Sequence, residues 1–310
     1  MEGNRLKIRT YLLQMLLAAS SLLLPAPSQA DEVMRFIHSP PETKADQRHA
    51  YYWELLAAAL ESNKKKYGPY EIVAYETPMN FSRAVSEVEA GEKGRINIVA
   101  RATNLELESR LRPIRLPLDK GLLGYRLFLI MPEMQERLDK VTTLNELRQF
   151  SIGQGAPWTD VKILEANQFK LVLANDYDGL FKMLGARRFD LFSRGVNEIH
   201  TEWMAQKNSI PGITIERGLI LHYPMPRYFF VPNNEQGARM AERIEDGLRR
   251  LAQSGEFERR YQVYKRQVLA DINLSGRRVL RLSNPQLSPL APTGEKFWWD
   301  DLSVELAGRK

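Results

Sequence analysis

Arg101 directly follows the apolar run Ile96-Asn97-Ile98-Val99-Ala100, so a guanidinium stands where an expected strand ends. A guanidinium meets a carboxylate through two parallel hydrogen bonds, which makes Arg101 a candidate for holding an anionic ligand. The competing reading is a solvated arginine or an ion-pair partner. Residues 154–159 join a glycine turn, Gly153-Gln154-Gly155, to an expected helix start, Pro157-Trp158-Thr159-Asp160. Backbone N–H groups of Gln154 to Thr159 and the helix dipole favour an anion there. Thr159 adds a hydroxyl, and Trp158 offers a ring to cover an apolar or cationic ligand face. Otherwise Trp158 is core and Thr159 a cap. Arg194-Gly195-Val196-Asn197-Glu198 follows a further expected strand, where Asn197 also reads as a helix cap and Glu198 as surface. Asp46 and Tyr51 begin the first long helix and either face a cleft or sit on the helix surface.

Other chemistries find little support. His38, His49, His200 and His222 show no paired ligand spacing, and the chain has no cysteine, which removes disulfides, thiol nucleophiles and thiolate metal sites. Gly153-x-Gly155-x-x-Trp158 lacks the third glycine of a dinucleotide fingerprint, and a tryptophan there obstructs the close packing that motif requires. No Gly-x-Ser-x-Gly, phosphate loop or paired-carboxylate pattern is present. The expectation is therefore no catalytic residue, no metal and no cofactor. The formal charge of +6 on 310 residues is mild and points to no nucleic-acid partner.

The elements that must position these groups alternate. Residues 33–38, 70–75 and 96–100 read as strands, separated by helices over 46–62 and 82–89. Residues 144–148 read as helical, 150–152 as a strand, 157–169 as a helix and 170–173 as a strand. A helix over 177–184 and a strand over 189–192 follow, then a helix carrying Ile199 and Trp203. Such alternation implies βαβ units and a mainly parallel sheet, whose ligands meet the carboxyl ends of the strands. Two helices over 234–254 and 257–264 lead into a tail marked by Phe297-Trp298-Trp299.

Leu144-x-x-Leu147-x-x-x-Ser151-Ile152-Gly153, followed by Leu180-x-x-x-Leu184-Gly185-x-Arg187-x-Phe189-Asp190, resembles the second lobe of type II periplasmic solute-binding proteins, in particular solute-binding family 3. The first βαβαβ set resembles the first lobe of the same family. The resemblance implies an α/β, two-lobed periplasmic-binding-protein-like fold with a two-strand hinge. One crossing runs through 121–131, and the return runs through 213–223 to rejoin at 228–231. In that family an arginine after the third strand holds an amino-acid carboxylate, a role the resemblance gives to Arg110 in Leu107-Glu108-Ser109-Arg110. Arg101 remains its rival. An acidic residue near 194–198 receives an amino group in family members, which implies Glu198 or Asn197. The family's "G...GfdvDl" pattern at the first helix is missing here, a departure from ordinary amino-acid binders.

Residues 1–30 read as a signal peptide: Arg5, Lys7 and Arg9 precede a short apolar run, and Ser28-Gln29-Ala30 supplies small residues for cleavage after Ala30. The expected organisation is then a first lobe over 31–128 and 222–265, a second lobe over 129–221, and a C-terminal arm over 266–310. The expected function is periplasmic binding of a small polar solute, amino-acid-like or another carboxylate, by a monomer serving ABC-type uptake through an inner-membrane permease. Two alternatives stand beside it: a sensory or docking protein, whose aromatic arm meets a membrane partner, and a dehydratase or lyase on the same fold.

Overall fold

The computed structural model describes residues 33–40 and 50–308. The expected signal segment, its cleavage point and Asp46 lie outside the described residues. Strand β1 (Met34–His38) pairs in parallel with β2 (Tyr70–Ala74). Helix α1 (Ala50–Ser62) buries Tyr52, Leu55, Leu56, Ala59 and Leu60, one face at helical spacing. Helix α2 (Phe81–Glu89) starts at Asn80, whose side chain accepts the Arg83 N–H. It leads to β3 (Val99–Ala102), α3 (Leu105–Arg110) and β4 (Arg112–Ile114). A later strand, β11 (Arg227–Val231), lies between β3 and β4 and is antiparallel to both.

The strand expected over 96–100 starts late for a local reason. The Asn97 side chain accepts the Ile37 N–H at 2.7 Å and donates to the Arg35 carbonyl at 2.8 Å. It thus takes the place of a peptide group beside β1 and ties the two first-lobe sheets together.

The second lobe is built on a seven-stranded sheet in the order β12-β10-β5-β8-β6-β7, with β9 beside β5. Its strands are β5 (Tyr125–Ile130), β6 (Ser151–Gly155), β7 (Lys170–Ala174), β8 (Leu191–Gly195), β9 (Thr214–Ile215), β10 (Leu219–His222) and β12 (Arg278–Arg281). Strands β6, β7 and β8 are parallel, joined through α4 (Thr159–Ala166) and α5 (Tyr177–Gly185). Strand β5 runs against β8, β9 and β10, because it enters directly from the first lobe rather than through a helical crossover. The whole of β5 belongs to this sheet, so the change of lobe falls before Tyr125. Helix α6 (Ile199–Gln206) follows β8.

Gly153-Gln154-Gly155, expected as a tight turn, is instead the carboxyl half of β6. The glycines serve ring packing. A Cβ on Gly153 would meet the Phe189 ring at 2.3 Å, and one on Gly155 the Trp158 ring at 2.4 Å. The turn comes one step later, where the Trp158 N–H returns to the Gly155 carbonyl at 2.9 Å.

Two adjacent segments cross between the lobes. The Leu118 N–H donates to the Arg227 carbonyl at 3.0 Å, and the Tyr223 N–H to the Gly124 carbonyl at 3.2 Å. Helices α7 (Glu235–Gln253) and α8 (Glu256–Val268) close the first lobe. Gly247 lets α7 approach α1, since a Cβ there would meet the Ala59 carbonyl oxygen at 2.3 Å. The tail is docked at several points. Strand β12 adds in parallel to β10. The Trp298 ring meets Phe257 edge-on at 5.0 Å, and Trp299 lies against Gly121, whose φ of 74° suits glycine.

Candidate functional site

A cavity of about 350 Å³ lies between the lobes. Strand ends on both sides build it. The first lobe contributes Arg101 from β3 and Arg227 from β11, neighbouring strands in which Arg227 pairs with Ala102 and Arg101 with Tyr228. The second contributes Arg126 from β5 and Arg194 from β8, neighbours in which Arg126 pairs with Gly195 and Arg194 with Leu127. Two carboxylates line it, Asp160 at the start of α4 and Glu198 before α6. Trp53, Phe81 and Trp158 supply aromatic wall. Trp53 is fixed by stacking on His38 with ring centres 4.0 Å apart, and burial holds the His38 pKa below its usual value.

The charges are arranged in ion pairs. Arg194 is 4% exposed; it donates to both Glu202 oxygens and lies 3.1 Å from Glu198. Burial works against its charge, but Glu202 and Glu198 outweigh burial and hold its pKa above the ordinary value. The Arg194 guanidinium also sits 4.6 Å from the centre of the Trp158 ring. Arg126 lies 3.1 Å from Asp160, which accepts the Tyr223 hydroxyl as well. Asp160 thus places negative charge at the amino end of α4, where the helix dipole favours it. Arg227 reaches Glu198 at 3.7 Å and the Ala100 carbonyl at 3.3 Å. Burial opposes its charge too, yet Tyr52, Glu198 and Asp119 leave its pKa raised. The Nε atoms of Arg126 and Arg227 are buried without a hydrogen-bond partner.

Two contacts bridge the lobes beside the cavity. Asn104, which caps α3, donates to the Thr159 hydroxyl at 3.0 Å, and Lys162 meets Glu106 at 2.7 Å. Both contacts join α3 of the first lobe to α4 of the second. Among the described residues no group of three or more His, Asp or Glu side chains could hold a metal ion.

Of the eight residues singled out in the sequence, Arg101, Trp158, Thr159, Arg194 and Glu198 come together around this cavity. The other three lie elsewhere. Arg110 sits in the last turn of the six-residue helix α3, where its side chain turns to Glu89 on the surface. Gln154 is fully buried between β6 and β8, with its amide 3.5 Å from the Ser193 carbonyl. Asn197 faces a second cavity of about 680 Å³ and donates to the Tyr264 hydroxyl at 2.8 Å. Tyr51 faces this second cavity as well, stacked on Tyr264 at 4.1 Å. Sequence reasoning missed Arg126, Arg227 and Asp160 as cavity groups, along with the Trp53 and Phe81 walls. The one local signal for the two arginines is a lone cation at the start of an otherwise apolar strand, Tyr125-Arg126-Leu127-Phe128 and Arg227-Tyr228-Phe229-Phe230.

No family model matches the sequence, and no curated protein matches it. Solved structures do. An ancestral arginine-binding protein bound to glutamine aligns with a TM-score of 0.52 at 15% identity, over 75% of this chain and 97% of that one. A histidine kinase sensor domain with similarity to periplasmic binding proteins aligns with a TM-score of 0.51 at 16% identity, over 76% of this chain and 96% of the other. An ancestral amino-acid-binding protein, a precursor of cyclohexadienyl dehydratase, gives 0.50 at 11% identity, over 75% and 94%. At such identities the likeness is one of architecture. The chain has the two-lobed α/β fold of type II periplasmic binding proteins, with a two-strand hinge.

Proposed function

We propose that this protein binds a small polar, anion-bearing solute in the cavity between its lobes and closes on it about the hinge. The observation that carries this reading is the cavity itself, with two arginines on neighbouring strands of each lobe around a space of about 350 Å³. That size falls in the range of small-molecule sites, about 300–1,000 Å³. A solute that touches both lobes binds the closed state better than the open one and shifts the population toward closure. Arg101, Trp158, Thr159, Arg194 and Glu198 are the proposed contacts, joined by Arg126 and Arg227.

The role that fits is solute capture after export, handing the solute to an inner-membrane permease for ABC-type uptake. Asp160 and Glu198 both face guanidiniums, an arrangement that suits recognition better than general acid–base work, which needs a carboxyl tuned toward neutral pH. A sensory role is the second reading, and the sensor domain that shares this fold favours it. Titration with amino acids, dicarboxylates and small peptides, followed by thermal unfolding, tests the binding reading. A ligand at one hundred times its Kd stabilises the folded state by about 2.7 kcal/mol, a clear rise in Tm. A folded protein that no polar solute stabilises would overturn the proposal.

A further inference from the structure

Asp119 stands just before the first crossing and is fully buried. Its carboxylate receives the Tyr52 hydroxyl and the Gly121 N–H, each at 3.2 Å. Among the described residues no lysine or arginine pairs with it directly. A carboxylate taken out of water with hydrogen bonds but no paired cation finds its charged form penalised. Burial raises its pKa to about 6, and the field of Arg227 is the largest influence the other way.

Arg227 connects this carboxyl to the cavity. Its guanidinium lies 4.9 Å from the centre of the Tyr52 ring, whose hydroxyl holds Asp119. Its carbonyl accepts the N–H of Leu118, the residue before Asp119. The same arginine lines the cavity and reaches Glu198 there at 3.7 Å. The other groups packed around Asp119 keep their charge near neutral pH. Tyr51 and Tyr52 of α1 and Tyr261 and Tyr264 of α8 are all pushed up by burial, Tyr264 to about 12, and stay neutral. Lys120, next in the chain, turns its ammonium to Glu258 of α8 at 2.8 Å, and its carbonyl accepts the Asp300 N–H from the tail. Burial works against the Glu258 charge, but Lys120 and Gln262 outweigh it and hold its pKa low.

Resting on the solute-binding reading, we propose that Asp119 is a positioning residue that sets how much of the Arg227 field is left for a solute anion, and so couples solute binding to proton uptake. With Asp119 ionised, Arg227 is shared between two carboxylates of the protein. With Asp119 protonated, more of that field reaches the cavity. In reverse, an anion brought up to Arg227 makes the potential at Asp119 more negative and draws a proton onto it. Binding therefore tightens as pH falls through the range in which Asp119 titrates.

Isothermal titration of the parent and of Asp119→Asn tests this. The probe is whichever of the amino acids, dicarboxylates and small peptides raises Tm most. Titrations run at pH 5 and 7.5, and near pH 6 in two buffers of different ionisation enthalpy. The solute's own titration is common to both proteins, so the difference between them belongs to Asp119. At pH 7.5 Asp119→Asn should bind about threefold tighter than the parent, and at pH 5 the two should agree. Near pH 6 the parent should take up about a quarter of a proton per solute more than the variant, as linkage requires for that threefold change. Tyr52→Phe keeps the ring beside Arg227 and removes the hydroxyl that steadies the ionised form, so the pH at which affinity changes should move upward. Parent and Asp119→Asn alike in affinity at pH 7.5 and in proton uptake would overturn the proposal while leaving solute binding intact. If Asp119→Asn does not fold, an affinity profile that Tyr52→Phe leaves in place would do the same. No heat from any of these solutes, with none raising Tm, would overturn the binding reading itself.

Discussion

At the cleft, Arg194 is buried between Glu202 and Glu198 and still presents its flat face to Trp158 on the cavity wall. Away from the cavity, Lys265 of α8 is buried between Asp300 and Glu305 of the tail, at 2.7 and 2.8 Å. Both sites set one cation against two carboxylates, but their surroundings differ. Asp300 also accepts the Tyr261 hydroxyl, its N–H donates to the Lys120 carbonyl, and its own carbonyl accepts the Tyr125 hydroxyl. Burial pushes the Asp300 pKa up, yet Lys265, Tyr261 and the Leu302 N–H outweigh burial and hold it low. The partners of the tail cluster all come from the chain around it, so it fastens the tail to the hinge entry. The cleft cluster adjoins three further arginines and one further carboxylate around open space. The same ion-pair chemistry ties chain to chain in one place and lines an open space between the lobes in the other.

The comparison can be broken by removing the cation from each. Arg194→Met leaves Glu202 uncompensated at 4% side-chain exposure, and urea unfolding should show a loss of about 3–5 kcal/mol. Adding Glu202→Gln should recover a good part of it. Lys265→Met should cost less, about 2 kcal/mol, because Asp300 and Glu305 are 12% and 27% exposed and water can reach them. It should leave solute affinity unchanged. Equal losses from the two variants would erase the distinction.

Two buried titratable groups sharpen the contrast through pH. Asp119, beside Tyr52 at the hinge, has its pKa raised by burial to about 6. Between roughly pH 4 and 6 the folded chain keeps a proton that the unfolded chain releases, so its contribution is full below pH 4 and lost as pH rises through 6. His222, against Arg281 of the tail, has its pKa lowered to about 4 by burial and by that arginine. Its contribution is present above about pH 6.5 and lost as pH falls through 4. Stability differences from the parent for Asp119→Asn and His222→Gln, measured by urea unfolding from pH 4 to 7, should therefore slope in opposite directions by about 1–2 kcal/mol. The smallest effect belongs to Arg110→Ala. Its pairing with Glu89 is surface chemistry, so unfolding should change by less than about 1 kcal/mol and solute affinity not at all.

Much of the second lobe was legible because local signals agree there. Thr143 and Asp176 cap their helices, apolar residues recur at the right period, and short β-rich runs separate them. The cavity residues found early share one property: each lies at or just beyond a strand end, where the order of elements alone exposes it. Arg126 and Arg227 lie at the amino starts of β5 and β11 rather than at carboxyl ends, and which face they take depends on neighbours far away in sequence. Arg110 was misplaced because spacing from a strand does not reveal that α3 is capped at Asn104 and turns its last residue outward. The glycines of β6 were read as a turn because a sequence cannot show that Phe189 and Trp158 need the room. Strand β12, Arg-Val-Leu-Arg, is too short and too charged to announce itself, and it exists because β10 offers an open edge.

The central claim is that one solute draws the two lobes together. The chain has no cysteine, so Ser109→Cys on α3 and Glu165→Cys on α4, both exposed, give two clean labelling sites on facing lobes. Spin-label distances between them should shorten and narrow when the solute that raises Tm most is added to saturation. An unchanged distance distribution, with binding confirmed by calorimetry on the same sample, would contradict closure on the solute.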